Sequence, residues 1–455
     1  MGIFLKRTLV ESSAADLFRW HASPGAFERL IAPWERVTIL ERPKSITNGN
    51  RAAFKVKAGP ISLKWVAEYR DYVEGSQFRD VMVSGPVSKW QHTHSFVPNG
   101  KTCYYEDRIE FKPPFGLLGK YLGEPYLRRR LQKLFRYRHR LVANDIGQHQ
   151  KYSKRHVRIL VAGSTGLIGS SLVPFLSTGG HDVTRLVRPH SNEAGPVWDP
   201  AAGKIDANTL EGFDAIIHLS GRNIGVLRLT SKIKEEAYNS RILSTRLLCN
   251  TICQLANAPK VLVSASAVGY YGDRGSDELD EESGPGEGFL PRLGVDWERE
   301  TGRVSEAGVR VVNLRTGIVL TPAGGYLSKL LPIFNAGLGG KLGAGDQYLS
   351  WIGMDDLLGI ILHAIGTPAV SGPVNAVSPN PVTNEGLTKS LGRILSRPTL
   401  MRVPKFAIRL AMGEAADELL LASQRVIPKK LTQTGYSFLF PHVEPALRYM
   451  LGYEV

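Results

Sequence analysis

Three glycines at a spacing of three residues form the clearest chemical motif of the chain. They stand in the segment 163–169 (GSTGLIG), directly after the apolar run 157–162 (VRILVA) and before a second apolar run, Val183–Val187. Such glycines permit a tight turn from a buried strand into a helix and let the backbone approach a pyrophosphate at the helix N-terminus. The motif predicts a dinucleotide site made by Gly163, Ser164, Thr165, Gly166, Leu167, Ile168 and Gly169.

The residue after the second strand indicates which dinucleotide is bound. About 20 residues beyond the glycines, an NAD site places an acid on the ribose hydroxyls, whereas an NADP site accommodates the 2′-phosphate with arginine. This chain has Arg188 there, with Arg185 inside the strand and no acid beside it. We therefore expect NADP(H) in preference to NAD(H). The alternative is that Arg188 is only a solvated residue at the end of a strand.

Two further apolar runs end in small residues and hydroxyl groups. Asp214–Gly221 (DAIIHLSG) predicts a buried strand whose end, with the residues that follow, lies beside the dinucleotide. Val261–Gly272 (VLVSASAVGYYG) predicts a strand and a turn that carry hydroxyls and phenols. The cofactor site therefore also includes Leu219, Ser220, Gly221 and Asn223.

Together these phrases resemble the extended short-chain dehydrogenases/reductases. The resemblance implies that Ser266 is the catalytic Ser/Thr, and that a Tyr-x-x-x-Lys pair follows, in which the tyrosine exchanges a proton with the substrate oxygen. That pair is missing, because its positions hold Leu290 and Gly294. Any acid must come from elsewhere, and Tyr270 and Tyr271 are the nearest candidates.

A more specific resemblance rests on longer phrases. They are GRNI (221–224), SASAVGYYGDRG (264–275), GEGFL (286–290), RTGIVL (315–320) and QRVIPKK (424–430). Over residues 157–452 the chain resembles the atypical short-chain dehydrogenase/reductase family described as NAD-dependent epimerase/dehydratase-like, which carries a C-terminal domain of unknown function. The family commonly has glutamate where this chain has Arg222, so a polar contact near the cofactor is lost or becomes cationic.

The first third of the chain has a different element order. One strand-like run, two short helices, a series of strand-like runs and a final helix succeed one another between residues 1 and 146. This order resembles the helix-grip fold of the START/SRPBCC superfamily, which implies a sheet wrapped around a C-terminal helix and an apolar cavity. By that analogy the cavity holds an apolar ligand; the alternative is a cavity without a natural ligand.

Charge locates the boundary between the parts. Residues 1–155 hold 28 Lys and Arg against 14 Asp and Glu, whereas the rest of the 455-residue chain holds 29 against 28. We predict a helix-grip domain at 1–146, a linker at 147–156, a Rossmann NAD(P)-binding domain with a doubly wound parallel sheet at 157–384, and a small helical C-terminal domain at 385–455. The fold class is thus α/β, preceded by an α+β domain.

The basic run Arg128–Leu141 predicts an amphipathic helix with a cationic face. The interpretation we favour is a solvated surface helix; the alternative is peripheral contact with an anionic membrane. No nucleic-acid motif accompanies the run, so we expect no sequence-specific nucleic-acid partner.

Cysteine content and hydropathy point to the cytoplasm. The chain has three cysteines, no zinc-finger spacing, no signal-peptide pattern and no apolar stretch of about 18 residues. We predict no disulfides and no metal site.

Two functions follow from the sequence. The first is an NADP(H)-dependent oxidoreductase or epimerase that acts on a small molecule, with Ser266, Tyr270 and Tyr271 as catalytic residues and the C-terminal domain as a lid. The second is a non-catalytic, NADPH-responsive binding or regulatory protein, which the missing Tyr/Lys pair favours.

Overall fold

The computed structural model describes residues 2–114, 121, 123–153, 155–225 and 228–455. The chain forms two compact units, which we describe separately. The first comprises Met1–Lys151, Pro174–Gly180 and Tyr449–Val455, and the second comprises Tyr152–Val173 and His181–Arg448. In the described part of the chain, no helix has both the length and the hydropathy required to cross a lipid bilayer.

An antiparallel sheet of seven strands, in the order β1-β7-β6-β5-β4-β3-β2, dominates the first unit. Its strands are β1 Gly2–Val10, β2 Val37–Glu41, β3 Arg51–Ala58, β4 Ile61–Val73, β5 Gln77–Ser84, β6 Lys89–Asn99 and β7 Thr102–Lys112. Buried and more exposed residues alternate along β6 and β7, since successive side chains of a strand point to opposite faces. One face of the sheet therefore carries the core of the unit.

Three helices accompany this sheet: α1 Ala14–Ala22, α2 Ala26–Arg29 and α3 Glu124–Tyr152. Leu131 and Phe135 of α3 are buried against Phe4, Ile109 and Phe111 of the sheet. Their four-residue spacing places them on one side of the helix, which explains why this side packs inward. The helix-grip prediction for the first domain is confirmed.

The basic side of α3 makes many contacts inside its own unit. Arg128 forms an ion pair with Glu124, and Arg130 forms one with Glu35. The guanidinium of Arg138 donates to the carbonyl of Leu30. These contacts agree with the favoured interpretation of a surface helix. The helix runs to Tyr152, so residues 147–152 of the expected linker are helical, and Lys154 lies outside the described residues.

The second unit is built on six parallel strands in the order β20-β15-β13-β12-β8-β9. They are β8 Arg158–Ala162, β9 Asp182–Leu186, β12 Ala215–His218, β13 Val261–Ala267, β15 Arg310–Thr316 and β20 Gly372–Ala376. Most residues of these strands are buried, as expected for a sheet covered on both faces. The strand order reverses between β8 and β12, and doubly wound folds bind ligands at such a switch point. The prediction of a Rossmann sheet is confirmed.

Short strands and helices complete this unit. The strands are β10 Trp198–Asp199, β11 Lys204–Ile205, β14 Glu278–Leu279, β16 Ile318–Leu320, β17 Gly340–Leu342, β18 Tyr348–Leu349, β19 Trp351–Gly353, β21 Val382–Thr383, β22 Met401–Val403 and β23 Arg425–Val426. The α-helices are α4 Gly169–Thr178, α5 Ser231–Ile252, α6 Phe289–Glu300, α7 Gly302–Glu306, α8 Gly325–Asn335, α9 Met354–Gly366, α10 Asn384–Leu395, α11 Lys405–Met412, α12 Glu414–Ala416, α13 Lys429–Gln433 and α14 Val443–Met450. The last turns of α4, and α14 from Tyr449 onward, are assigned to the first unit. Helices α10 to α12 confirm a small helical C-terminal region.

Candidate functional site

The glycine loop closes tightly between β8 and α4. Gly163 has a φ of +81°, a conformation that favours glycine. A Cβ there would lie 2.7 Å from the carbonyl carbon of Leu219, and one on Gly169 would lie 2.2 Å from the carbonyl oxygen of Gly163. Ser164 is buried, whereas Thr165 and Gly166 are exposed at the tip of the loop. The loop thus has the compact backbone that a pyrophosphate needs at the start of α4.

Gly163→Ala tests the loop. We expect the affinity for NADPH, the dinucleotide that the sequence predicts, to fall by about 10-fold or more, because the new methyl meets the Leu219 backbone and must displace the loop that would hold the pyrophosphate. Gly180→Ala is a matched control, since Gly180 has the same φ of +81° but no atom near its Cβ position. Equal NADPH affinities of the two variants, measured by fluorescence titration, would show that close approach at Gly163 does not matter.

Arg188 lies just beyond the carboxyl end of β9. It is exposed, and its guanidinium stands 5.2 Å from the centre of the Trp198 ring. Partial burial lowers the pKa of Arg188, against the opposing charge of Asp199, but no carboxylate within the described part of the chain forms an ion pair with it. Arg185 is engaged differently: it donates to the Ser164 carbonyl and pairs with Glu193. Of these two arginines, Arg188 is therefore the one that is available to an anionic ligand.

The segment after β12 lies directly against the loop. Ser220 is buried, and its backbone nitrogen is 2.8 Å from the Cβ position of Gly163. Further on, the Asn223 side chain accepts a hydrogen bond from the Gly225 nitrogen. Arg222, which replaces the common glutamate, pairs with Glu236. The structure thus brings Leu219 and Ser220 to the glycine loop, whereas Gly221 borders Arg241 and the Asn223 amide oxygen caps its own turn.

A cavity of about 270 Å³ lies at the carboxyl ends of β13 and β15. Ser266, Gly269 and Tyr270 line it on one side, and Thr316 and Gln424 on another. Helix α6 forms a further wall through Leu290, Leu293, Gly294 and Trp297. The C-terminal region contributes Glu418, Leu419 and Ala422 to the lining.

Tyr270 lines the cavity at the place where the usual Tyr/Lys pair is missing. Gly294 stands where the usual pair has its lysine, and a Cβ on Gly294 would lie 3.3 Å from Cβ of Tyr270. Because Gly294 has no side chain, Tyr270 can occupy this space. The guanidinium of Arg315 stands 3.5 Å from the centre of the Tyr270 ring and holds it from the other side by a cation–π contact. Within the described residues, the Tyr270 hydroxyl has no hydrogen-bond partner, which leaves it available to a ligand.

Tyr271 points the other way, although it is the next residue. Its ring is fully buried, and its hydroxyl contacts the Asn375 amide oxygen at 2.8 Å and the Asp280 carbonyl at 2.9 Å. The Arg315 guanidinium donates to the same hydroxyl at 3.0 Å. Burial raises the pKa of Tyr271 to about 12. Tyr271 thus packs in the core and is not part of the cavity lining.

Ser266 belongs to a buried polar chain. Its hydroxyl donates to Oε1 of Glu298 at 2.7 Å, and Glu298 holds Arg315 through two hydrogen bonds of 2.9 Å. Ser266 and Arg315 are direct neighbours on the parallel strands β13 and β15. Burial opposes the charge of Arg315, but the hydrogen bonds and charge of Glu298 prevail and raise the pKa of Arg315. Since the proton of Ser266 points to Glu298, the oxygen lone pairs of Ser266 remain for a ligand.

Arg241 places a positive charge at the cavity. Its guanidinium lies 5.1 Å from the centre of the Trp297 ring and donates to the carbonyl of Ala237. Burial lowers the pKa of Arg241 to about 10, which leaves it positively charged at neutral pH. No carboxylate of the described chain pairs with it. It also lies 3.2 Å from the Cβ position of Gly221, so it connects the cavity with the cofactor segment.

Sequence reasoning assigned no role to Arg241, Glu298, Arg315 or Asn375. Arg315 alone stands in one of the phrases quoted above, RTGIVL (315–320). For Arg241 and Arg315 the available signal was a charged residue between apolar or small neighbours, since an ionised side chain in a buried strand or helix face requires a partner.

Three sequence profiles match the chain. That of the NAD dependent epimerase/dehydratase family matches residues 159–377. The profile described as polyketide cyclase/dehydrase and lipid transport matches residues 10–134. A domain of unknown function, DUF1731, matches residues 403–450.

Relatives and solved structures agree with these profiles. Epimerase family protein Mb2239 of Mycobacterium bovis is 42% identical over 292 residues, which are 64% of this chain and 96% of that protein. A nucleoside-diphosphate sugar epimerase from Corynebacterium glutamicum has a TM-score of 0.84 and 31% identity, over 99% of this chain and 90% of that one. Human epimerase family protein SDR39U1, solved with NADPH, has a TM-score of 0.59 and 33% identity, over 65% of this chain and 99% of that one.

Proposed function

The chain belongs to the NAD dependent epimerase/dehydratase family, and from that membership we propose that it is an NADP(H)-binding oxidoreductase or epimerase acting on a small molecule. The observation that carries the proposal is the position of the Ser266/Tyr270 cavity. It starts at Arg241, which borders Gly221, and Gly221 follows the segment packed on the glycine loop. A ligand in the cavity therefore lies next to a nucleotide held by the loop.

The residues of the chain fit the nucleotide. The loop from Gly163 to Gly169 would hold the pyrophosphate, and Arg188 would hold the 2′-phosphate. When bound, NADPH supplies a hydride to a carbonyl carbon or, as NADP⁺, takes one from an alcohol.

Two side-chain hydroxyls would contact the substrate. Ser266 donates to Glu298, so toward the cavity it would accept a hydrogen bond from a neighbouring hydroxyl of the substrate and orient the molecule. Tyr270 would exchange the proton of the reacting hydroxyl through its phenolic oxygen. The cation Arg241 favours a substrate with a negative charge, and we propose a nucleoside-diphosphate sugar, the class named for the similar Corynebacterium glutamicum protein.

A second function, a non-catalytic NADPH-responsive protein, has one observation in its favour. Leu290 and Gly294 occupy the positions of the usual Tyr/Lys pair and only line the cavity. In this case the nucleotide would bind as a signal, and the apolar cavity of the first unit would hold the regulated ligand. Substrate-dependent oxidation of NADPH by the purified chain would contradict this function.

Arg188→Ala tests the cofactor assignment. We expect wild-type protein to bind NADPH more tightly than NADH, and the variant to lose about 10- to 100-fold in NADPH affinity alone, because hydrogen bonds to a charged group contribute about 1.5–3 kcal/mol. Fluorescence titration with both nucleotides measures this, with Arg303→Ala, an exposed arginine of α7, as control. Equal affinities of wild-type protein for NADPH and NADH would refute the NADP(H) preference.

A further inference from the structure

A cluster of buried histidines and aspartates lies in the first unit, apart from the site described above. His92 and His94 stand two residues apart on β6, so their side chains point to the same face of the sheet. Asp80 on β5 is paired with His92, and Asp107 on β7 is paired with His94. The strand register therefore places two imidazoles between two carboxylates on the core side.

The two imidazoles converge on one oxygen. Oδ2 of Asp80 lies 2.9 Å from Nδ1 of His92 and 3.4 Å from Nε2 of His94. Tetrahedral zinc with bonds of about 2.0–2.1 Å keeps its ligand atoms about 3.3–3.4 Å apart. Asp80, His92 and His94 each offer a ligand atom, and all three atoms lie within 4.8 Å of one another. The three atoms therefore lie close enough together to share one ion.

One carboxylate lies close to both remaining ring nitrogens; it forms a hydrogen bond with His92, whereas its contact with His94 lacks hydrogen-bond geometry. Oδ1 of Asp107 lies 2.9 Å from Nε2 of His92 and 2.7 Å from Nδ1 of His94. Its other oxygen contacts Nε2 of His139 on α3 at 2.9 Å. A carboxylate that accepts the second N–H of a histidine is the usual support of a metal-binding imidazole, because it fixes the tautomer and the ring orientation.

The charge and burial of these side chains also favour a bound cation. His92, His94 and Asp107 are each at most 5% exposed and the Asp80 side chain is 17% exposed, so the two carboxylates require compensating positive charge. A divalent cation supplies both charges and leaves the imidazoles neutral, which is the form that binds metals.

One side of the cluster opens on a cavity. Asp80 and His92 contribute to the wall of a space of about 210 Å³ that is otherwise lined mainly by apolar and aromatic side chains, among them Phe54, Trp65 and Trp90. Three protein ligands with a fourth position toward a cavity is the arrangement of catalytic zinc sites, whereas structural sites are closed by four protein ligands.

We propose that Asp80, His92 and His94 bind a divalent first-row transition-metal ion, with Asp107 as the supporting carboxylate and one coordination position open to the cavity. The two-nitrogen, one-oxygen ligand set suits Zn²⁺. The open position would take water or an oxygen atom of a small apolar ligand.

Metal titration of the full-length, untagged chain tests this. After treatment with a chelator, we expect one Zn²⁺ per chain by calorimetry, and Co²⁺ in its place should give the visible absorption of a four-coordinate nitrogen/oxygen site. His92→Ala and His94→Ala should each weaken Zn²⁺ binding by 100-fold or more, whereas His156→Ala, which removes an exposed histidine, should not. Asp107→Asn keeps all three ligands and should weaken binding by about 10- to 100-fold.

The wild-type measurement stands without any variant. If the chelator-treated chain binds none of Zn²⁺, Co²⁺, Fe²⁺ and Mn²⁺ at one ion per chain, the cluster is a hydrogen-bond network and the proposal is refuted. Binding that persists unchanged in folded His94→Ala protein, as judged by circular dichroism, would refute it as well.

Discussion

Tyr270→Phe is expected to lower kcat by about 10²- to 10⁴-fold, the range typical for loss of a general acid or base. The phenolic oxygen is a cavity hydroxyl without a partner in the described chain, whereas Ser266 directs its own proton to Glu298. Ser266 is therefore not placed to donate a proton to the substrate. The affinity for NADPH should stay within about twofold, because the ring still packs between Gly294 and Arg315.

The assay follows absorbance of the reduced nicotinamide, with a substrate obtained by screening nucleoside-diphosphate sugars and simple carbonyl compounds on wild-type protein. Tyr238→Phe is the matched control, because its hydroxyl donates to Asp296 outside the cavity and its loss should leave kcat unchanged. Full activity of folded Tyr270→Phe protein would remove Tyr270 from the mechanism.

Tyr270 and Tyr271 also show what the sequence could not predict. The sequence presents two adjacent phenols after a strand, and nothing in their types separates them. They lie in the 3₁₀ turn Val268–Tyr271, where successive side chains diverge by about a third of a turn. The structure turns one ring to the cavity and buries the other, because Asn375 and Arg315 reach only the second hydroxyl.

Sequence patterns within short segments predicted the parts of the fold that form from neighbouring residues. The glycine loop, the apolar strands and the helix-grip order can each be recognised within short segments. Contacts between distant segments could not be predicted, because they depend on strand register. Ser266 meets Arg315 only because β13 and β15 pair in parallel, and His94 meets Asp107 only in the observed pairing of β6 and β7. The signal His-x-His in a strand was present, but its partners were not evident.

The buried pair of Glu298 and Arg315 supports the second large prediction. Arg315 is 4% exposed at its side chain and Glu298 14%. Glu298→Ala would leave the guanidinium charged and buried, with the Tyr271 hydroxyl as its one remaining hydrogen-bond partner among the described residues. Loss of one member of a buried ion pair typically costs about 3–5 kcal/mol, so we expect the free energy of unfolding of the second unit to fall by that amount.

Helix α6 contains a matched control two residues further on. Glu300 also holds an arginine, Arg246, through two hydrogen bonds, but the Arg246 side chain is 51% exposed. Solvent screens this second pair, and Glu300→Ala should cost at most about 1 kcal/mol. Urea unfolding followed by circular dichroism compares the two variants. Both variants lose a glutamate carboxylate from the same helix. Equal losses of unfolding free energy would therefore mean that burial does not determine the strength of the first pair. The Ser266–Glu298–Arg315 chain would then give the wall of the cavity no more stability than an exposed ion pair gives.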